Sequence, residues 1–229
     1  MQASRHSAHA NFVGKGVRYL GNHSQMPRKR KAVPRTHRQP VLPNGGVVRP
    51  RDLVRQGVTR AELARLVERG VLRKLGRGMY APAAAVPTVH HSLAEAAKRV
   101  PRGVICLLSA LRFHGLTTQH PFEVWVAIGH KAWRSRLNDP PLRFVHMSGA
   151  AAEAGIETHV IEGVEVQIFG AAKTVVDCFR YRNKIGLDVA LEALRDYRRK
   201  HRGKMDPLWR YAKICRVSRV MQPYLESLS

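Results

Sequence analysis

The stretch from Arg49 to Pro82, RPRDLVRQGVTRAELARLVERGVLRKLGRGMYAP, contains the clearest pattern of secondary structure in the chain. It predicts a short helix opening at 52–54 and ending at Gly57, a residue type that favours a left-handed C-cap. Thr59 and Glu62 have the spacing of a capping box, which predicts the start of a second helix. Three apolar residues then recur at helical spacing and predict a buried face: Leu63, Leu66 and Val67.

The same stretch continues into a predicted hairpin. Gly70 ends the second helix, and an apolar-basic run at 71–75 and the pair Met79-Tyr80 flank the glycine turn Gly76-Arg77-Gly78. Two helices separated by a short turn and followed by a basic hairpin indicate a winged helix-turn-helix, which places one helix in the major groove of DNA. The alternative interpretation is an ordinary helical hairpin with solvated arginines.

The predicted DNA contacts divide by position. Arg65 and Arg69 lie on the outer face of the second helix, with Ala61 and Glu68, and an arginine there can read guanine. Glu68 either accepts a hydrogen bond from cytosine or pairs with Arg65. Thr59 and Arg60 stand at the helix N-terminus, which favours a phosphate. On the wing, the residues predicted to hold the DNA backbone are Arg73, Lys74 and Arg77.

One departure from the winged pattern concerns its first helix. That helix normally precedes the pair, but the place holds RTHRQPVLPNGG, residues 35–46, with two prolines. Either the helix is degraded, or 46–56 forms one longer segment in its stead.

Charge supports a polyanionic partner. The 229 residues contain 40 Lys or Arg against 16 Asp or Glu, a formal charge of +24, and residues 1–51 contain no acid. Such an imbalance favours nucleic acid. Residues 1–44 are predicted to be a disordered basic tail. Within it, the cluster Arg28–Lys31 either binds phosphate groups or is part of a solvated tail.

Cysteine content and hydropathy indicate the cellular compartment of the protein. Cys106, Cys178 and Cys215 are widely spaced and odd in number, which predicts neither a disulfide framework nor a zinc site. With no signal-peptide pattern and no long apolar run, the sequence predicts a cytoplasmic protein without a membrane partner. No cofactor motif occurs, so none is expected.

The rest of the chain reads as strands followed by helices. Helices are predicted at 92–100 and 104–114, strands at 123–128, 142–147, 158–161 and 164–169, and four closing helices at 171–180, 187–200, 206–215 and 217–228. This order predicts an α+β protein: a winged domain at 45–82, then a domain at 89–229 with a small antiparallel sheet and several helices.

An enzyme is the alternative from another class. Glu162 and Glu165 sit in the predicted hairpin, where a metal-dependent nuclease with a fused DNA-binding head would keep its carboxylates. Gln167 occupies the position where such a site needs a lysine. Neither a catalytic residue nor a metal ligand is therefore predicted.

Several motifs resemble the AbiEi antitoxin family. They are SALRFHGL (109–116), EVWVAI (123–128), AKTVVD (172–177), YRNKIGLD (181–188) and the closing WRYAKICRVSRVMQPYL (209–225). With the arginine-rich winged module, the resemblance spans about residues 46–228.

The resemblance implies the antitoxin of a type IV toxin–antitoxin operon, without enzymatic activity. Its winged domain would bind inverted repeats in its own promoter as an autoregulatory repressor, as a monomer that binds DNA cooperatively. Its second domain would counter an AbiEii-type nucleotidyltransferase toxin, not necessarily through a stable complex. Six residues fall in the antitoxin-domain motif: Lys173, Asp177, Arg180, Arg182, Asn183 and Lys184.

The residues themselves leave other interpretations open. Lys173 and Asp177 are four residues apart on a helix, where an ion pair is the commoner explanation. The basic run 180–184, with Tyr181 interleaved, could be a second DNA patch. A third hypothesis for the whole chain is an adaptor that binds nucleic acid without sequence preference.

Overall fold

A computed structural model describes residues 46–129, 140–202 and 204–227, which form one compact unit. The predicted tail 1–44 and its cluster Arg28–Lys31 lie outside the described residues. Within them, no helix has both the length and the hydrophobicity to cross a membrane.

The winged module has the predicted elements. They are α1 (Pro50–Val54), α2 (Arg60–Glu68), β1 (Leu72–Gly76) and β2 (Met79–Pro82), with β1 and β2 paired antiparallel around a bulge. Gly57 and Gly70 have φ of 88° and 68°, so both end their helices in the left-handed conformation expected of glycine. A small apolar core holds the elements together: Val48, Leu53, Val58, Leu63, Leu66 and Leu72.

The segment before α1 is extended rather than helical. Val48 forms an antiparallel bridge with Tyr80, through hydrogen bonds of 2.7 Å and 2.9 Å between their backbones. A single helical segment over 46–56 is therefore wrong, because Val48 pairs with Tyr80 in an isolated bridge and α1 begins only at Pro50. Val47 and Val48, 1% and 3% exposed, pack into different apolar cores and fix this segment from both sides.

The rest of the chain alternates between sheet and helix. Its strands are β3 (Val104–Ile105), β4 (Val124–Ile128), β5 (Leu142–His146), β6 (Ile156–Ile161) and β7 (Val164–Phe169). Its helices are α3 (His91–Arg99), α4 (Leu107–His114), α5 (Ala150–Glu153), α6 (Ala171–Arg180), α7 (Arg182–Ile185), α8 (Leu187–Lys200), α9 (Asp206–Ile214) and α10 (Ser218–Glu226). The α+β class is confirmed.

The sheet is larger than predicted and is mixed. Its strand order is β5-β4-β3-β7-β6, with antiparallel pairs β3–β4 and β6–β7 and parallel pairs β4–β5 and β3–β7. The prediction of a small antiparallel sheet in residues 89–229 is thus corrected. The connection from β4 to β5 is long enough for a crossover, which a parallel pair requires.

The predicted helix 104–114 is also corrected at its start. Val104 and Ile105 form β3, and α4 begins only at Leu107. Both strand residues are buried and β-branched, and they pair with β4 on one side and β7 on the other.

Two apolar layers cover the two faces of the sheet. One face packs mainly against α4, α6 and the closing helices. The other face packs against α3, and this layer also takes in Val47 and Met79 of the winged module. Outside this layer, Lys98 Nζ on α3 donates to Asp52 Oδ2 on α1 at 2.9 Å. The winged module is therefore seated on the same core as the sheet. The predicted boundary between 45–82 and 89–229 stays a prediction.

Candidate nucleic-acid interface

The outer face of α2 is free for a ligand. Leu63 and Leu66 are buried against the small core, whereas Arg60, Arg65 and Arg69 are exposed, as the helical spacing predicts. Glu68 is exposed as well, and among the described residues it forms no ion pair with Arg65. The pairing alternative for Glu68 is therefore not seen.

Thr59 holds the start of α2. Its Oγ1 accepts from the backbone N–H of Glu62 at 3.2 Å, and its own N–H and hydroxyl donate to Glu62 Oε2 at 2.8 Å and 3.0 Å. This is the predicted capping box. The hydroxyl of Thr59 is thus already engaged within the helix start, beside the exposed side chain of Arg60.

Arg69 differs from the other arginines of α2. It is the C-cap residue, and its Nε donates to the backbone carbonyl of Arg65 at 3.3 Å. A cation there is favourable because the last carbonyls of a helix carry partial negative charge. Arg69 therefore has a structural role at the C-terminal end of α2, in addition to the contact predicted for it.

The wing presents its basic residues to solvent. Arg73 and Lys74 lie on β1 and Arg77 in the turn, and all three are exposed. Gly78 has φ of 68°, the left-handed value that closes the turn. The structure therefore brings α2 and a basic wing into one module.

Three further arginines near this face were not predicted from the sequence. Arg49, Arg51 and Arg55, on and beside α1, line a groove of about 600 Å³ together with Arg60. The spacing of Arg51 and Arg55, four residues apart on a helix, was the signal that could have found two of them.

Lys173 and Asp177 form a buried ion pair. Both are 0% exposed, and Lys173 Nζ lies 2.5 Å from Asp177 Oδ2 and 4.1 Å from the centre of the Phe169 ring. Burial raises the pKa of the Asp177 carboxyl, and the ammonium of Lys173 opposes that shift. Cys215 Sγ donates to Asp177 Oδ1 at 3.6 Å. The ion-pair interpretation is the one that the geometry matches.

The rest of the antitoxin-domain motif surrounds one tyrosine. Arg180 and Lys184 are exposed, and their charged groups lie 5.8 Å and 5.6 Å from the centre of the Tyr181 ring. Arg182 is half-buried and donates to the backbone carbonyl of Phe179 at 3.0 Å, whereas Asn183 is exposed. The motif therefore has a buried half and a surface half.

Glu162 and Glu165, the carboxylates considered for a nuclease, lie in different surroundings. Glu162 accepts from the backbone N–H of Thr88 and lies 2.7 Å from His91 Nδ1, so it ties α3 to the β6–β7 turn. The pKa of Glu162 is lowered; the His91 and Thr88 hydrogen bonds outweigh its burial, which acts in the opposite direction. Glu165 and Gln167 are exposed on β7. Among the described residues no group of three or more His, Cys, Asp or Glu is placed to hold a metal ion.

The comparisons with known proteins bear first on the winged module. Residues 43–83 match the family described as "Transcriptional regulator, AbiEi antitoxin", which confirms the family resemblance for the winged module, whereas the motifs between 109 and 225 lie outside the matched segment. The matched segment contains α1, α2, β1 and β2 and ends before α3. This match supports a role as an antitoxin and transcriptional regulator.

No curated protein matches the chain. Among solved structures, the crystal structure of the RV2827C protein from Mycobacterium tuberculosis aligns with 80% of this chain and 72% of its own, at 17% identity and a TM-score of 0.44.

Proposed function

We propose that this protein is a non-enzymatic antitoxin that binds its own promoter DNA through α2 and the wing, and so represses its own operon. The observation that carries the proposal is the capped helix α2, with exposed Arg60 and Arg65, beside a basic wing inside the matched segment. In the cytoplasm, such a protein would meet both its operator and its toxin.

The DNA contacts differ along α2. In a helix-turn-helix the N-terminal part of the recognition helix reads base edges. Arg65 has an exposed side chain without a partner among the described residues, whereas Arg69 donates to a carbonyl of its own helix. Arg65 is therefore the better candidate for guanine, a contact that contributes about 1–3 kcal/mol of discrimination. The wing residues Arg73, Lys74 and Arg77 would hold phosphates.

Substitution of two arginines tests the DNA assignment. We expect R65A to lower the affinity ratio between the protein's own promoter and a shuffled duplex, because it removes a base contact. R77A should weaken binding to both duplexes by a similar factor, because it removes a backbone contact. Dissociation constants measured at one salt concentration give both ratios. If neither variant changes any affinity, α2 and the wing are not the interface.

The antitoxin activity would belong to the surface half of the motif. Arg180, Asn183 and Lys184 are exposed, whereas Lys173 and Asp177 are buried and cannot meet a partner. A nucleotidyltransferase toxin acts on negatively charged substrates, so exposed cations on the antitoxin can act directly on the toxin or on what the toxin binds. Neither route requires a stable complex.

Co-expression tests this second half of the proposal. The protein should restore growth to cells that express the nucleotidyltransferase encoded beside it. R180A/K184A should lose that rescue yet keep promoter binding, and R65A should keep the rescue yet lose promoter preference. Rescue that is absent with the unaltered protein would remove the antitoxin role and leave the regulator role standing.

A further inference from the structure

A groove on the winged module combines basic and apolar lining. It lies between α1, the start of α2 and the turn of the wing, and has a volume of about 600 Å³. Four of the residues that line it are arginines, and much of the lining surface is apolar; the lining residues are Arg49, Pro50, Arg51, Val54, Arg55, Arg60 and Gly78.

The positive charge of this groove exceeds its local counter-charge. The carboxylate nearest in sequence is Asp52, whose Oδ2 accepts from Lys98 Nζ at 2.9 Å and from the backbone N–H of Arg49 at 3.2 Å. Arg51 Nε is 3.8 Å from Asp52 Oδ1, and the Arg51 side chain is 60% exposed. Asp52 is therefore shared with a lysine from α3. Burial, together with the charge of Arg51, lowers the pKa of Arg49.

The walls of the groove are also partly apolar. Val54 is 55% exposed and sets an apolar surface among the arginines. Gly78 closes the wing side of the groove, and nothing within 4 Å faces the position that a side chain would take there. An apolar wall can contact a deoxyribose ring, while guanidinium groups bind phosphate oxygens in a bidentate manner.

We propose that this groove binds the phosphodiester backbone of the duplex whose major groove receives α2. The inference rests on the proposed function, and it adds Arg49, Arg51 and Arg55 to the interface as backbone contacts. Arg60 belongs both to the groove and to the start of α2, so one DNA strand can follow the two without a break. The first helix of a helix-turn-helix crosses the backbone in this manner.

Because phosphate contacts position a protein without reading sequence, the groove and Arg65 have separable signatures. R51A/R55A should reduce the slope of log affinity against log salt by about two, since each lost phosphate contact accounts for about 0.9. The affinity ratio between promoter and shuffled DNA should stay as in the unaltered protein. R51K/R55K keeps both charges and should retain the slope.

A matched control removes the same charge elsewhere. R102A/R219A deletes two exposed arginines outside the groove and the wing, and should leave the slope unchanged. If R102A/R219A lowers the slope as much as R51A/R55A does, the effect is one of net charge and the groove has no special role. An unchanged slope in R51A/R55A also overturns the inference.

A phosphate titration distinguishes a groove that binds the DNA backbone from a site for small anions. The promoter preference of the unaltered protein distinguishes a failure of this inference from a failure of the proposed function. When inorganic phosphate alone is titrated by calorimetry, the unaltered protein and R51A/R55A should behave alike, because the groove should not bind free phosphate. Binding of that kind, with the DNA slope unaltered, would make the groove a site for small anions. If the unaltered protein shows no promoter preference but R51A/R55A still lowers the slope, the proposed function fails and the backbone contact stands.

Discussion

Lys173 and Asp177 show that charged side chains can have a packing role rather than a role in partner contact. Their spacing alone favours an ion pair, and the structure places that pair where both side chains are 0% exposed. A buried pair of this kind contributes little net stability, yet removal of one partner leaves an uncompensated charge in the core. The packing around α6 therefore tolerates these two charges only when both Lys173 and Asp177 are present.

A single substitution should reveal this dependence. We expect K173M to lower the free energy of unfolding by about 3–5 kcal/mol, because Asp177 then stays buried without its cation. K173M/D177L should recover much of the loss, since an apolar pair fills the same space. Urea titration followed by circular dichroism measures both variants.

The exposed pair Arg199–Asp196 supplies the control for that measurement. Its side chains are 2.8 Å apart, and that of Arg199 is 74% exposed. We expect R199A to cost less than about 1 kcal/mol, as solvated ion pairs usually do. A loss in K173M no larger than that in R199A would contradict the role given to the buried pair.

At the scale of elements, sequence pattern was sufficient where contacts are local. The capping box at Thr59, the glycine stops at Gly57 and Gly70, and the turn at Glu162-Gly163 depend on neighbours a few residues away, and all are in place. The glycines need positive φ, and Glu162 adopts φ of 50° in the hairpin turn.

Pattern was insufficient where the partner is distant. Val104 and Ile105 look like the start of an apolar helix, and only β4 and β7 on either side make them a strand. Val48 is likewise part of an isolated β-bridge rather than a helix because Tyr80 pairs with it. Whether β4 and β5 run parallel depends on the path of their connection, which local periodicity does not encode.

The junction between α4 and β7 provides a pH prediction. His114 Nε2 lies 2.8 Å from the backbone carbonyl of Phe169, so this nitrogen carries the donated proton. Burial lowers the pKa of His114 below 6.5. As pH falls below about 6.5 the unfolded chain takes up the proton first, and stability is lost as pH falls through the folded pKa.

We therefore expect the melting temperature of the unaltered protein to fall between pH 7.5 and pH 5.5. H114Q retains an N–H donor but has no group that titrates in this range, so its melting temperature should fall less. His90, whose pKa burial also lowers, would account for part of the fall that remains. Thermal melts at the two pH values decide, and an equal fall in both proteins would exclude His114 as a cause.

At the scale of the whole molecule, the winged module and the sheet share a core. Val47 and Met79 are 1% and 2% exposed because they lie against α3 and the sheet. Burial of such a side chain contributes about 1.5–3 kcal/mol. A chain that ends at residue 88 would expose both, and Asp52 would lose its ion pair with Lys98.

We expect a chain of residues 1–88 to lack a cooperative urea transition and to bind promoter DNA far more weakly than the full chain. The full chain carrying K98A loses only the ion pair with Asp52 and should unfold cooperatively. Circular dichroism in urea distinguishes the two. A cooperative transition of 1–88 at the midpoint of the full chain would mean that the module folds without the sheet.

The candidate site was predictable in part from sequence. Arg65 and the wing arginines follow from helical spacing and a glycine turn, whereas the groove needs Arg49, Arg51 and Arg60 to converge from separate segments. Positive charge pointed to a polyanion in general. The structure, which places these arginines beside α2, shows which face of the winged module carries the positive charge.

An autoregulatory repressor must recognise its own promoter by sequence. The direct measurement compares the dissociation constant of the unaltered full chain for that promoter with its constant for a shuffled duplex of equal length, at one near-physiological salt concentration. We predict binding to the promoter that is tighter by at least about a thousandfold. Equal affinity for the two duplexes would contradict this claim, and would leave a protein that binds nucleic acid through charge alone.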